Sequence, residues 1–232
     1  MIPGPASSTL HPFMTDFILA SILTGPMEFF SKGGIFMVFL LLLSVVALAV
    51  IIVRGSALRE ASVMPPGLAR EVERLEPGDD LDNLQKLVSA NPSPLGRILE
   101  TLIRHITWPR AEATEAVQMQ ARHEVARLES GLVILEITTG VAPLFGLLGT
   151  LSGLVGIFAN LGGGGDPVAV ARGIAEALNT TIAGLAIAAP SLIALNYFTR
   201  KIEVMAVEME ALIADLLTKC YPHGEAPTVI RG

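Results

Sequence analysis

Several things are scarce in this chain of 232 residues, and each scarcity removes a class of function. Charged residues make up 16% and aromatic residues 5%, and there is a single cysteine, Cys220. One cysteine excludes an internal disulfide. The four histidines, His11, His105, His123 and His223, are scattered without metal-ligand spacing, so no metal site is indicated. A basic stripe is missing and the net charge is −6, which argues against nucleic acid as a partner. The glycine run Gly162 to Gly165 leads into Asp166 and Pro167, not into the Lys and Ser or Thr of a phosphate-binding loop. Nucleotide bound to this chain is therefore not its energy source, and no cofactor is expected. No basic residue precedes Lys32, so the N-terminus lacks the positive region of a cleaved signal peptide.

What is abundant is apolar surface: 51% of residues are hydrophobic and the mean hydropathy is +0.59. Uncharged runs extend from Gly33 to Val53, from Ile137 to Gly165 and from Ala177 to Thr199. Each exceeds the roughly 20 helical residues that cross a bilayer core of about 30 Å. A soluble helix of that length would show a charged face, and these show none. The expected fold is an all-α integral membrane protein with three transmembrane helices, the second and third extending far into the cytoplasm. The segment Phe13 to Phe30 is too short in its apolar part to span and reads as an interfacial helix.

Ten of the sixteen basic residues lie between Arg54 and Arg127 and four follow Thr199. The positive-inside rule then puts the N-terminus outside and the C-terminus inside. The resulting division is an external segment 1–32, a first span 33–53, a cytoplasmic helical region 54–130 and a second span 131–160. An external loop 161–167, a third span 168–199 and a cytoplasmic helix and tail 200–232 follow. Pro65-Pro66, Pro77-Gly78, Pro92, Pro94 and Pro109 read as helix boundaries. After Pro109 nothing breaks the chain, and Val117, Ala121, Val125, Leu128 and Leu132 form one stripe leading continuously into the second span. Phe198, Ile202, Met205, Met209, Leu212 and Leu216 form a heptad-like seam on the third helix, whose ordinary reading is packing within the chain.

Two membrane segments carry more than hydrophobicity. Thr139, Pro143, Gly146, Thr150 and Gly153 share one face of the second span. Gly173, Ala177, Thr181, Gly184, Ala188 and Ser191 share one face of the third. Small faces let helix backbones approach closely in lipid. Packing alone accounts for the glycines and alanines, and threonine is common at such interfaces. Counting about 1.5 Å per residue, however, puts Thr150 and Thr181 each about 20 Å into the membrane, near its middle. A hydroxyl at that depth can orient water but cannot exchange a proton at physiological pH, so it suits the wall of a proton path. Glu176 is the acidic residue expected within a span, a functional candidate by its cost. Arg172, one turn earlier, offers a structural alternative as its ion-pair partner.

The runs Ala142-Pro143-Leu144-Phe145-Gly146-Leu147-Leu148-Gly149-Thr150, Gly173-Ile174-Ala175-Glu176-Ala177-Leu178 and Thr181-Ile182-Ala183-Gly184-Leu185, the last continuing through Pro190 to Asn196, resemble the ExbB/TolQ branch of the MotA/TolQ/ExbB proton channel family. The resemblance covers about residues 110 to 215 and, by topology, the first span. It implies a subunit of an inner-membrane motor driven by the proton motive force, energising outer-membrane import or envelope maintenance. It further implies a pentamer around the helices of an ExbD/TolR-like single-span partner that carries a transmembrane aspartate, with a TonB/TolA-like protein beyond. Thr150, Thr181 and Glu176 fall on the family's pore-associated positions, whereas Arg172 departs from the proline or small residue expected before Gly-Ile-Ala-Glu. Two other readings stand beside this one. A MotA-like flagellar stator predicts four spans and a larger charged cytoplasmic domain, and a non-conducting scaffold predicts that Thr150 and Thr181 tolerate any small residue. None of the three is an enzyme.

Overall fold

A computed structural model describes residues 34–160 and 167–222. The segment Phe13 to Phe30, the connection 161–166 and the tail 223–232 lie outside the described residues. Among the described residues there are eight α-helices and no strand: α1 Gly34–Ala57, α2 Glu60–Val63, α3 Pro66–Arg74, α4 Asp82–Ala90, α5 Pro94–Arg104, α6 Arg110–Glu129, α7 Val133–Asn160 and α8 Pro167–Cys220. Three stretches of the described residues are long and apolar enough to cross a membrane: Ile35–Ala57, Arg110–Ala159 and Pro167–Cys220. The chain is an all-α, multi-pass membrane protein. At about 1.5 Å per residue the 54 residues of α8 extend about 80 Å, far beyond a hydrocarbon core of about 30 Å.

The chain divides into two compact units, one of Met1–Val45 with Thr138–Ala189, the other of Val46–Ile137 with Pro190–Gly232. In the first, Met37 and Leu40 of α1, Ala142 of α7 and Ala188 of α8 form a small buried core. Phe39 stacks on Phe145 with ring centroids 5.4 Å apart. The remaining faces present exposed Val38, Leu42, Leu144, Val155, Ile182 and Leu185, as lipid-facing helices do. Pro143 and Pro190 both lie inside their helices, which run on through them. A membrane helix tolerates this because neighbouring elements take up the freed backbone groups.

The second unit is held by the seam read on α8. Phe198, Ile202, Met205, Met209 and Leu216 are buried and Leu212 partly so, in one cluster with Leu68, Leu84, Ile98, Leu99, Leu102 and Val117. Full burial of each such side chain stabilises by about 1.5–3 kcal/mol. Within the unit α3 packs on α4, α4 on α5 and α5 on α6. The prolines delimit these short helices as expected. Pro66 and Pro94 occupy first turns, where a missing N–H costs nothing, and the Ser93 side chain caps α5 by accepting from the Gly96 N–H at 3.1 Å. Gly78 follows Pro77 with φ of 97°, a left-handed value that glycine adopts without strain. Lys219 near the end of α8 donates to the carbonyls of Val72 and Glu73 at 3.0 and 3.1 Å, satisfying the last turn of α3.

The expected unbroken path from Pro109 into the second span is corrected at one point. Helix α6 stops at Glu129 and α7 starts at Val133, with a tight turn at Ser130-Gly131-Leu132 bridged by Leu132 N–H donating to Glu129 O at 2.7 Å. The cause is a residue remote in sequence. The Arg54 guanidinium, from the end of α1, fills the space a Gly131 Cβ would occupy, and its Nη1 donates to the Leu128 carbonyl at 3.5 Å. The apolar stripe survives the turn: Val117 and Leu132 are buried, and Ala121, Val125 and Leu128 pack partly buried against the same core.

Candidate functional site

The small faces of α7 and α8 lie against each other within the first unit. A Cβ on Gly146 would stand 3.0 Å from both the Thr180 carbonyl oxygen and the Thr181 Cα. A Cβ on Gly184 would stand 2.6 Å from the Ala142 carbonyl oxygen and 3.1 Å from the Gly146 Cα. Both obstacles are backbone, so the crossing of the two helices depends on residues without side chains. Toward the 161–166 connection, a Cβ on Gly153 would meet that of Ala177 at 2.9 Å and one on Gly173 would meet Ile157 Cδ1 at 2.8 Å. Ala177 and Ala188 are themselves buried, while Pro143 is half-buried.

Thr150 and Thr181 meet inside this interface. Thr150 is 8% exposed and Thr181 half-buried. Their hydroxyls hydrogen-bond to each other, and each also reaches backbone acceptors. Thr150 Oγ1 lies 3.2 Å from both the Gly146 and the Ala177 carbonyl oxygens, and Thr181 Oγ1 lies 3.1 Å from Gly146 O. Two hydroxyl protons thus face two carbonyl acceptors, Gly146 O and Ala177 O, besides one another. The pair can reverse its donor and acceptor roles without moving a heavy atom, a property of hydroxyls that a purely structural apolar contact would lack.

Glu176 does not join this pair. It is half-buried in a separate recess on the α1 side of α8, with Ser152 and Thr180. Arg172 is exposed. A groove of about 840 Å³ in the second unit, between α6 and the C-terminal part of α8, is larger. Charged residues, among them Arg122 and Glu210, line it.

Comparison with known proteins gives this geometry its context. The model of the MotA/TolQ/ExbB proton channel family matches residues 90–211. The chain belongs to that family. The biopolymer transport protein ExbB-like 1 of Synechocystis sp. is 33% identical over 99% of this chain and 90% of its own length. The biopolymer transport protein ExbB of Neisseria meningitidis serogroup B is 30% identical over 79% of this chain and 89% of its own. ExbB of Helicobacter pylori is 42% identical over a shorter stretch, 34% of this chain and 56% of its own. The matched segment of this family member takes in both threonines and Glu176.

Reading α7 and α8 by their stripes alone passes over Ser152, Thr180 and Gly149. Ser152 lies two residues from Thr150 and Thr180 one residue from Thr181, so both point about 100–200° away from the small faces. Thr180 is 1% exposed, and its methyl fills the space beside Gly149. The available signal was the run of polar residues Asn179-Thr180-Thr181 in an otherwise apolar span, which a single-stripe reading discounts.

Proposed function

We propose that this chain is the channel subunit of a motor in the bacterial inner membrane that uses the proton motive force to energise outer-membrane import or envelope maintenance, in the manner of ExbB or TolQ. The observation that carries the reading is the Thr150–Thr181 hydroxyl pair buried in a glycine-lined helix crossing. Such a pair orients water and relays hydrogen bonds, but the mobile proton itself requires a carboxylate. An ExbD/TolR-like partner with an aspartate in its single span supplies one. Five copies of this chain enclose the partner helices, and a TonB/TolA-like protein receives the work. The N-terminus is periplasmic and the C-terminus cytoplasmic, since the basic residues cluster between Arg54 and Arg127 and after Thr199. Glu176 serves as the chain's own intramembrane carboxylate on the proton path.

The test is proton flux into liposomes holding this chain with its partner. Thr181→Val keeps the volume roughly constant and removes the hydroxyl, and it is expected to abolish flux while native mass spectrometry still finds five copies. Thr181→Ser keeps the hydroxyl and is expected to retain substantial flux. Wild-type flux from a well-assembled Thr181→Val complex would refute the hydroxyl role.

A further inference from the structure

The second unit carries a groove of about 600 Å³ between α3, with the residues just before it, and the 208–215 stretch of α8. Its floor is apolar: Met64, Pro66, Ala69, Ala211 and Leu212. Met64 and Leu212 belong to the core of the unit, while the short side chains of Ala69 and Ala211 leave the space above them open. The walls are fixed. Lys219 donates to the Val72 and Glu73 carbonyls at 3.0 and 3.1 Å and pairs with Asp215, so one side chain ties α3 to α8.

Charge says what the groove takes. Residues 60–82 hold seven acidic side chains against Arg70 and Arg74, so five of the six net negative charges of the chain fall in this one stretch. At the groove itself Lys219 neutralises Asp215, and Arg70 Nε is turned back onto the Pro66 carbonyl at 3.1 Å. Glu60, Glu73 and Glu208 are exposed and form no ion pair among the described residues. Their sign repels nucleic acid and anionic lipid headgroups. Nor do they gather round a point, since no group of acidic, His or Cys side chains among the described residues could hold a metal ion. Carboxylates spread along an apolar floor suit several cations carried on one chain.

We propose that this groove is a docking site for a partner protein, which lays a short basic amphipathic helix into it. Lysines or arginines of that helix meet Glu60, Glu73 and Glu208, and its apolar side chains cover Met64 and Leu212. The apolar face supplies contact area, and the carboxylates select the sign of the partner and steer its approach. A second copy of this chain, with its net charge of −6, brings like charge to the same face. Such docking needs no proton conduction, so it stands or falls apart from the channel reading.

The experiment is fluorescence anisotropy of a fluorescein-labelled peptide of about four helical turns, with lysines on one face and leucines on the other. It is titrated with the chain in phosphatidylcholine nanodiscs, and empty nanodiscs give the background. Glu60→Gln, Glu73→Gln and Glu208→Gln together should weaken binding about tenfold at low salt, as three exposed ion pairs allow, and the gap should close toward about 1 M salt. Glu112→Gln, Glu115→Gln and Glu129→Gln remove the same charge from exposed sites on α6 and should leave binding within about twofold. Ala211→Trp fills the groove without entering the core, since Ala211 is exposed, and should weaken binding about tenfold with every carboxylate intact. A wild type that binds no more peptide than empty nanodiscs, or equal losses in the two glutamine triples, would overturn the site. Undiminished binding to Ala211→Trp, or competition by spermine as strong as by unlabelled peptide, would reduce the groove to a patch of charge and overturn it too. Loss of oligomer from Ala211→Trp in native mass spectrometry, with peptide binding unchanged, would assign the groove to a second copy instead. None of these readouts involves proton flux, so a failed channel reading leaves them standing.

Discussion

Glu124 is a carboxylate in the wrong place for a solvated helix, and removing its partner yields a calculable loss. It sits on α6 with its side chain 1% exposed, held by Arg97 of α5 through Nε at 2.8 Å and Nη2 at 2.5 Å, with Gln120 Nε2 donating at 3.0 Å. Arg97 also donates to the Pro92 carbonyl at 2.7 Å. Arg97→Met keeps the apolar stem and deletes the charge, leaving a buried carboxylate with only Gln120, which costs about 3–5 kcal/mol. For a domain of this size that lowers the melting temperature by about 6–20 °C. The sole tryptophan, Trp108, lies in the same unit with its ring edge-on to His105 at 4.2 Å, so its fluorescence reports this unfolding. The double variant Arg97→Met with Glu124→Leu removes the stranded charge and should melt near the wild type or above it, because an apolar replacement of a buried pair is often neutral or stabilising.

The pH dependence of the same pair has a definite sign. Burial alone would raise the Glu124 carboxyl, but the hydrogen bonds and charge of Arg97, with smaller contributions from Arg127 and His123, hold it below the ordinary value of 4.5. A carboxyl lowered by folding contributes stability that is complete above its unfolded value and lost as the pH falls through its folded one. The melting gap between wild type and Arg97→Met should therefore be full at pH 7 and close below about pH 4. An Arg97→Met protein that melts with the wild type at pH 7, or a double variant as unstable as the single one, would show that the pair is not what holds α5 on α6.

Two further predictions rest on single atoms. Tyr221 is 1% exposed and its hydroxyl donates to the Ile106 carbonyl at 2.9 Å, with Trp108 O at 3.2 Å, so Tyr221→Phe should cost about 1–3 kcal/mol in the same tryptophan-monitored melt. Gly184→Val drives a side chain into the Ala142 backbone and should cost about 1–3 kcal/mol or more and reduce oligomer recovery in native mass spectrometry, whereas Gly140→Val, with nothing within 4 Å of its Cβ, should assemble normally.

These features differ in how far the sequence alone reveals them, and the difference has a physical cause. The seam from Phe198 to Leu216 and the proline boundaries are local patterns: a heptad spacing and a missing N–H act the same way in any fold, so they can be read directly. The threonines were legible as members of small faces, because spacing along one helix sets which side chains share a side. That they meet each other depends on the register of α7 against α8, which the backbone approach of Gly146 and Gly184 sets. Glu124 looks like one more charge in the polar stretch from Arg122 to Glu129, and Arg97, 27 residues earlier, supplies the main charge that makes its burial tolerable. The turn at Gly131 likewise answers to Arg54, and Glu176's recess needs a third wall from Ile35 and Phe36 of α1.

The polar residues of the spans are therefore the ones a helical stripe describes least well. In an apolar span a polar side chain is costly wherever it points, so its position on a stripe carries little information until the neighbouring helix is known. Thr150 and Thr181 satisfy one another across a crossing only glycines permit, whereas Ser152, Glu176 and Thr180 share a recess only three helices can form. Two polar clusters on opposite sides of Ala177 are a different arrangement from one lined face. The distinction matters for any test of the site, because a substitution such as Thr181→Val acts on the crossing and leaves the recess of Glu176 in place.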